Sequence, residues 1–254
     1  MRELAAGYEP PTFAHATDPD AALFLCAVDH RTGYADQHLL DGRGPLAGSA
    51  LMWELGLRAA RREPGFLTAA GLASVDGDRV AEAFRIDGET VVDPDRRAAL
   101  WRSLAAGLSG GYDGSAANVL SAAQGCLGGA GGLLSRLAES DAFADPLAKK
   151  AFLFAKIASR RGWFTVTDPE SWEVCADNVL MRLALRSGLV APGDRDEVRG
   201  ATRAAFKAVA AEAGLEPPVL DDLLWELGRD DPDLLGSEAG DLREPPRDPD
   251  STWY

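Results

Sequence analysis

The chain has 254 residues, 46% of them hydrophobic, and a formal net charge of −14. That is enough apolar material for one large domain or two small ones with a sizeable core. The acidity weighs against tight binding of duplex nucleic acid, which needs a basic surface to displace counterions from phosphates. It leaves room for a small ligand held in a local basic pocket, and otherwise serves solubility.

The opening, MRELAAGYEPP, contains no apolar run, so no signal peptide is expected. No stretch approaches the ~20 continuous apolar residues of a membrane span. Cys26, Cys126 and Cys175 are widely spaced and form no CxxC pair. They read as reduced core or pocket thiols of a cytoplasmic protein, and neither a metal nor another cofactor is expected.

In chain order, residues 1–20 contain Pro and Asp and are expected to be irregular until they dock. Residues 21–28 (AALFLCAV) form a short, wholly apolar run whose length does not decide between helix and strand. Charge then appears abruptly at Asp29, His30 and Arg31. That is the pattern of a pocket wall, or of a solvated helix end. Residues 39–45 read as a loop. Residues 49–62 read as an amphipathic helix with Leu51, Met52, Leu55 and Ala59 facing inward. Short helices are expected over 66–74 and 78–84, and a tight turn with marginal strands over 85–92. An Asp-Pro start at Asp93 predicts a helix over 95–108, broken by Ser109-Gly110-Gly111. Asn118 falls inside a segment expected to be a buried helix, where its amide needs a partner: a ligand, or a neighbouring helix. Residues 125–132 (GCLGGAGG) match neither phosphate-loop pattern and follow no strand, so they read as close packing or a tight turn.

Residues 145–190 hold the chemistry. Asp145 and Pro146 signal a helix start, and Gly162 its end. Lys149 and Lys156 are seven apart and share one flank of that helix, with Phe152 between them. Asp177 and Asn178 stand where the next apolar helix begins. A carboxylate at that position accepts backbone N–H bonds and feels the positive end of the helix dipole, so Asp177 is expected to stay ionised. A cationic pair and a fixed anion on neighbouring helices suit a positive charge developing on a sugar. Helices follow over 196–214 and 220–228, with Pro217-Pro218 between them as a break. The acidic, Pro-rich tail from 231 to 254 is expected to be loose apart from a docking Trp253-Tyr254. Trp163, Phe164 and Trp172 are available for stacking but fit a core equally well. The class is all-α, a single helical domain over 21–230.

The order of these motifs resembles the queuosine 5′-phosphate N-glycosylases, the queuosine salvage proteins. The likeness runs through Phe24-Leu25-Cys26-Ala27-Val28-Asp29, Gly114-Ser115-Ala116-Ala117-Asn118, Lys149-Lys150-Ala151, Ala176-Asp177, Glu197-Val198-Arg199 and Asp221-Asp222-Leu223-Leu224-Trp225. It covers about Ala21 to Asp230. The resemblance implies an all-helical fold related to the helix-hairpin-helix DNA glycosylases. It also implies hydrolysis of the N-glycosidic bond of a 7-deazaguanine-like nucleoside or its 5′-monophosphate. Asp177 and Lys149 would be catalytic, and Asp29, His30, Asn118, Phe152, Lys156 and Asn178 would bind substrate. The sequence departs from the family at Asp29, at His30-Arg31-Thr32, at Phe152 and at Asn178, positions expected to line the base pocket. Two other readings stand beside it. One is a DNA glycosylase with Lys149 or Lys150 as Schiff-base nucleophile, against which stand the charge and the lack of a glycine-rich hairpin before Asp177. The other is a nucleoside-binding protein without catalysis.

Overall fold

The computed structural model describes residues 1–34, 36–40, 42, 44–237, 244–246, 248 and 250–253. Among them are eleven α-helices and one hairpin of two-residue strands, so the class is all-α. The first helix, α1 (Pro19–Ala27), answers the question left by the apolar run. Asp18 caps it by accepting the N–H of Asp20 at 3.1 Å, and every residue from Ala21 to Ala27 is buried. A helix apolar on all sides belongs at the centre of a core. α1 is packed against α2 (Gly48–Arg62), α5 (Pro94–Gly111), α6 (Ala116–Ala122) and α8 (Lys149–Arg160). Trp101 of α5 donates its ring N–H to the Phe24 carbonyl at 2.7 Å. Two short helices, α3 (Ala69–Leu72) and α4 (Gly77–Ala83), lean on α5, and α7 (Leu133–Leu137) leans on α8.

Several boundaries differ from the sequence reading. α5 runs through Gly110-Gly111 rather than breaking there. Its Asp93 sits in the left-handed region (φ 52°), makes no cap bond, and pairs with Arg31 at 2.8 Å. The expected loop over 39–45 is flanked by the hairpin of β1 (His38–Leu39) and β2 (Pro45–Leu46); residues 41 and 43 lie outside the described ones. Over 85–92 only a single bridge between Ile86 and Glu89 forms. Pro217-Pro218 is the first turn of α11 (Pro217–Asp230), not a break, because a proline at the first helical positions withholds an N–H that has no partner anyway. α10 (Arg195–Ala213) follows the expected pattern, with a capping box between Asp194 and Glu197 and Gly214 in the left-handed region as C-cap.

The glycine-rich 125–132 segment is a packed turn. A Cβ on Gly132 would overlap the Gly128 carbonyl oxygen. The amides of Leu127 and Gly128 are taken by the Asp168 carboxylate at 2.6 and 2.8 Å, so the turn's donors are spent on the protein itself.

The buried apolar residues form two clusters. The larger surrounds α1 and reaches α8. The smaller joins α9 (Asn178–Arg186), α10 and α11 through Leu180, Leu183, Phe206, Leu220 and Leu224. Charge crosses the seam between them. Asp145, just ahead of α8, meets Arg199 of α10 in a two-pronged pair at 3.0 and 2.8 Å. Lys156 of α8 meets Asp221 and Asp222 of α11 at 2.5 and 2.6 Å. Arg160 joins Asp222, and Arg203 donates to the Leu147 carbonyl. The tail also docks. Arg31 donates to the Ser251 carbonyl at 3.1 Å, and the guanidiniums of Arg195 and Arg199 lie 5.6 and 5.9 Å from the Trp253 ring centroid. Tyr254 lies outside the described residues.

Candidate functional site

The site forms where the C-terminal end of α1, the first turn of α8 and the first turn of α9 meet. α8 begins three residues later than its Asp-Pro signal suggests. Asp145 does not cap it at a proline start. Its carboxylate accepts the N–H groups of Leu147 and Lys149, each at 3.0 Å, and pairs with Arg199. Burial alone would raise its pKa, but Arg199 and the two amides carry it below the usual carboxylate range. The chain then turns through Ala148 in the left-handed region (φ 50°) and enters the helix at Lys149.

Lys149 and Lys150 are neighbours with different tasks. Lys150 is 0% exposed and donates to the Ala27 carbonyl at 2.6 Å. It closes one of the open carbonyls at the end of α1. Burial and the nearby Lys149 hold its pKa well below that of a free lysine. Lys149 is only partly buried and donates to the Asp29 carbonyl at 3.2 Å. Burial works against its charge, but Asp29 and Asp177 outweigh it and hold its pKa above the ordinary value. Lys149 is therefore a permanent cation with donors to spare.

Asp177 caps α9, as the sequence predicts, and both capping bonds fall on one oxygen. Oδ1 accepts the N–H of Val179 at 2.9 Å and of Leu180 at 3.0 Å. Oδ2 has no hydrogen-bond partner among the described residues. Burial pushes the carboxyl up to about 6, against the pull of Lys149 and the two amides. At neutral pH the group is ionised, but its proton is within reach of ordinary conditions.

Asp29 and His30 form the α1 wall. The Asp29 carboxylate accepts from the Ser49 hydroxyl at 2.9 Å and from the Trp53 ring N–H at 3.1 Å. His30 is 2% exposed, and neither ring nitrogen has a partner among the described residues. Burial, followed by the charges of Lys150, Arg97, Lys149 and Arg31, holds its pKa well below the usual histidine value, so the imidazole is neutral. Beneath it lies Arg97, fully buried, which donates to the carbonyls of Val28, His30, Arg31 and Val92. It fixes the chain where α1 ends.

The structure does not bring every expected residue to this place. Asn118 is exposed, not buried, on the outer face of α6, and donates to the Tyr112 carbonyl in the turn before that helix at 3.0 Å. Lys156 is not a ligand cation, because Asp221 and Asp222 consume its charge. Phe152 is buried core, 6.3 Å from the Trp172 ring centroid, with the Arg203 guanidinium 5.3 Å from its own. Asn178 is exposed at the first position of α9. Trp172 and Phe164 are buried and Trp163 packs on the same core. Cys26 and Cys175 are buried free thiols, and burial raises both above the ordinary thiol pKa, so they stay protonated. No group of side chains that could hold a metal occurs among the described residues.

Four residues shape the site in roles the sequence reading did not assign them: Arg97, Lys150, Arg199 and Asp221. The signal was present for each. Arg97 shares a helical stripe with Trp101, Leu104 and Leu108, Lys150 with Phe154 and Ile157, Arg199 with Thr202 and Phe206, and Asp221 with Leu224 and Gly228. A charge on an apolar stripe announces a buried partner.

No protein-family model matches the chain, and no curated protein matches it. The described helices include none long and apolar enough to cross a membrane.

Proposed function

We propose that the protein hydrolyses the N-glycosidic bond of a nucleoside or nucleoside 5′-monophosphate carrying a modified, 7-deazaguanine-like base, on a scaffold akin to the helix-hairpin-helix glycosylases. One observation carries this reading. Asp177 is fixed through Oδ1 by two amides and keeps Oδ2 unspent, within the electrostatic reach of a charged Lys149. Breaking the bond leaves positive charge on the ribose, in an oxocarbenium-like state. A carboxylate held in advance, with one oxygen free, stabilises that charge or orients the attacking water without reorganising. Lys149 supplies donors to ribose or phosphate oxygens. The unspent nitrogens of His30 meet the base or ribose, with Asp29 behind them. A neutral imidazole can both donate and accept, which suits a heterocycle edge.

The Schiff-base reading draws less support. A lysine nucleophile must be neutral and reachable. Lys149 is held charged, and Lys150 is sealed against the Ala27 carbonyl.

The test is incubation of the purified protein with a panel of nucleosides and their 5′-monophosphates, queuosine included, with free base read by mass spectrometry. One substrate is expected to release its base, and Lys149→Met to weaken that substrate's KM about tenfold or more, the worth of one charge-assisted hydrogen bond. A compound that raises the melting temperature without any base release would replace hydrolysis by binding alone.

A further inference from the structure

We propose that Asp221 is a positioning residue for Asp177: it ties down the turn from which Asp177 projects and faces it with a like charge. The inference rests on Asp177 being the reactive carboxylate.

Asp221 lies on α11, far along the chain, and is buried. Its two oxygens do different things. Oδ1 accepts the Cys175 N–H at 2.7 Å, and Oδ2 accepts the Lys156 ammonium at 2.5 Å. The Cys175 carbonyl in turn accepts the Asp177 N–H at 2.6 Å. A continuous path therefore runs from Lys156 on α8, through Asp221 on α11, to the turn from Cys175 to Asp177 that leads into α9. Asp222 is anchored separately, by Lys156 and Arg160, and makes no hydrogen bond to that turn among the described residues. Lys156 thus serves the site at one remove: it makes a buried carboxylate on α11 tolerable.

The groups that face Asp177 come from every neighbouring element. They are Lys149 on α8, Asp221 on α11, the Val179 and Leu180 amides of α9 and the protonated Cys175 thiol. Asp29 and Cys26, at the end of α1, act on Lys149. On α10, Arg199 and Arg203 are turned to Asp145 and to the Leu147 carbonyl. Lys149 favours the ionised form of Asp177, and Asp221 opposes it. The balance keeps Asp177 an anion that can still take up a proton.

The test follows the Asp177 carboxyl by carbon-13 NMR titration, which needs no substrate. Asp221→Asn keeps the shape and an acceptor for the Cys175 N–H but removes the charge. It is expected to lower the Asp177 midpoint by half a pH unit or more. Asp222→Asn removes an equal charge from the same lysine and is expected to leave the midpoint in place. Asp221→Ser, which also removes the charge and keeps a hydroxyl, is expected to lower it as well, and this variant decides the matter if Asp221→Asn does not fold. An unmoved midpoint in Asp221→Asn, or equal shifts in Asp221→Asn and Asp222→Asn, overturns the proposal. On an active substrate, the acid limb of the pH profile must move with the titration. A titration that moves where no substrate is turned over would retain the positioning role and remove the glycosylase reading.

Discussion

Asp177→Asn is expected to lower base release by about 10²- to 10³-fold, the usual loss when one preorganised charge-stabilising group is removed. The fold should stay intact. Asparagine caps helices about as well as aspartate, and its amide oxygen can accept the same Val179 and Leu180 N–H groups. The melting temperature is the control: a rate loss that came with a large fall in melting temperature would return Asp177 to a purely structural role. The wild-type pH profile carries a second mark. The carboxyl is pushed up to about 6, and the proposed hydrolysis needs it ionised. Activity should therefore rise about tenfold per pH unit up to about pH 6 and level off above it, and a profile still flat at pH 5 would exclude this carboxylate as the group that must be ionised.

Arg97→Met is expected to destabilise the protein by about 3 to 5 kcal/mol, the range found on breaking a buried charged network. The side chain fits in length, so packing is not the issue. The loss lies in the carbonyls of Val28, His30, Arg31 and Val92, which Arg97 draws together and which would meet an apolar thioether in its place. Burial has already brought the guanidinium down to about 10, so it remains charged at neutral pH. Arg97→Lys should recover only part of the loss, because one ammonium cannot span the positions a planar fork reaches. Urea unfolding measures both, and a loss under about 1 kcal/mol for Arg97→Met would mean that water replaces the guanidinium at that end of α1.

Local chemistry was legible in the sequence where a residue and its partner sit close together in the chain. The Asp177 cap and the inward face of Gly48–Arg62 follow from neighbours within one or two helical turns. The all-α class follows from the sum of such segments. What escaped the sequence was long-range pairing. Lys156 looks like a free cation beside Lys149 until α11 brings Asp221 and Asp222 against it, 65 and 66 residues later. Asp145 looks like a cap until Arg199 arrives from 54 residues away. Asn118 looked buried because small residues surround it, but a short helix has an outer face, and it lies there.

The charged seam between the two apolar clusters also bears on how the molecule comes apart. Apolar burial is indifferent to protons, whereas the ion pairs across the seam depend on carboxylates. The Asp145 carboxyl lies below its ordinary value of 3.8, so its contribution is complete above that pH and is lost as the pH falls through the folded value. Strong acid should therefore loosen α9, α10 and α11 from the rest while each cluster keeps its own helices. Acid titration should then diminish the near-ultraviolet circular dichroism of the aromatic residues before the far-ultraviolet helical signal falls.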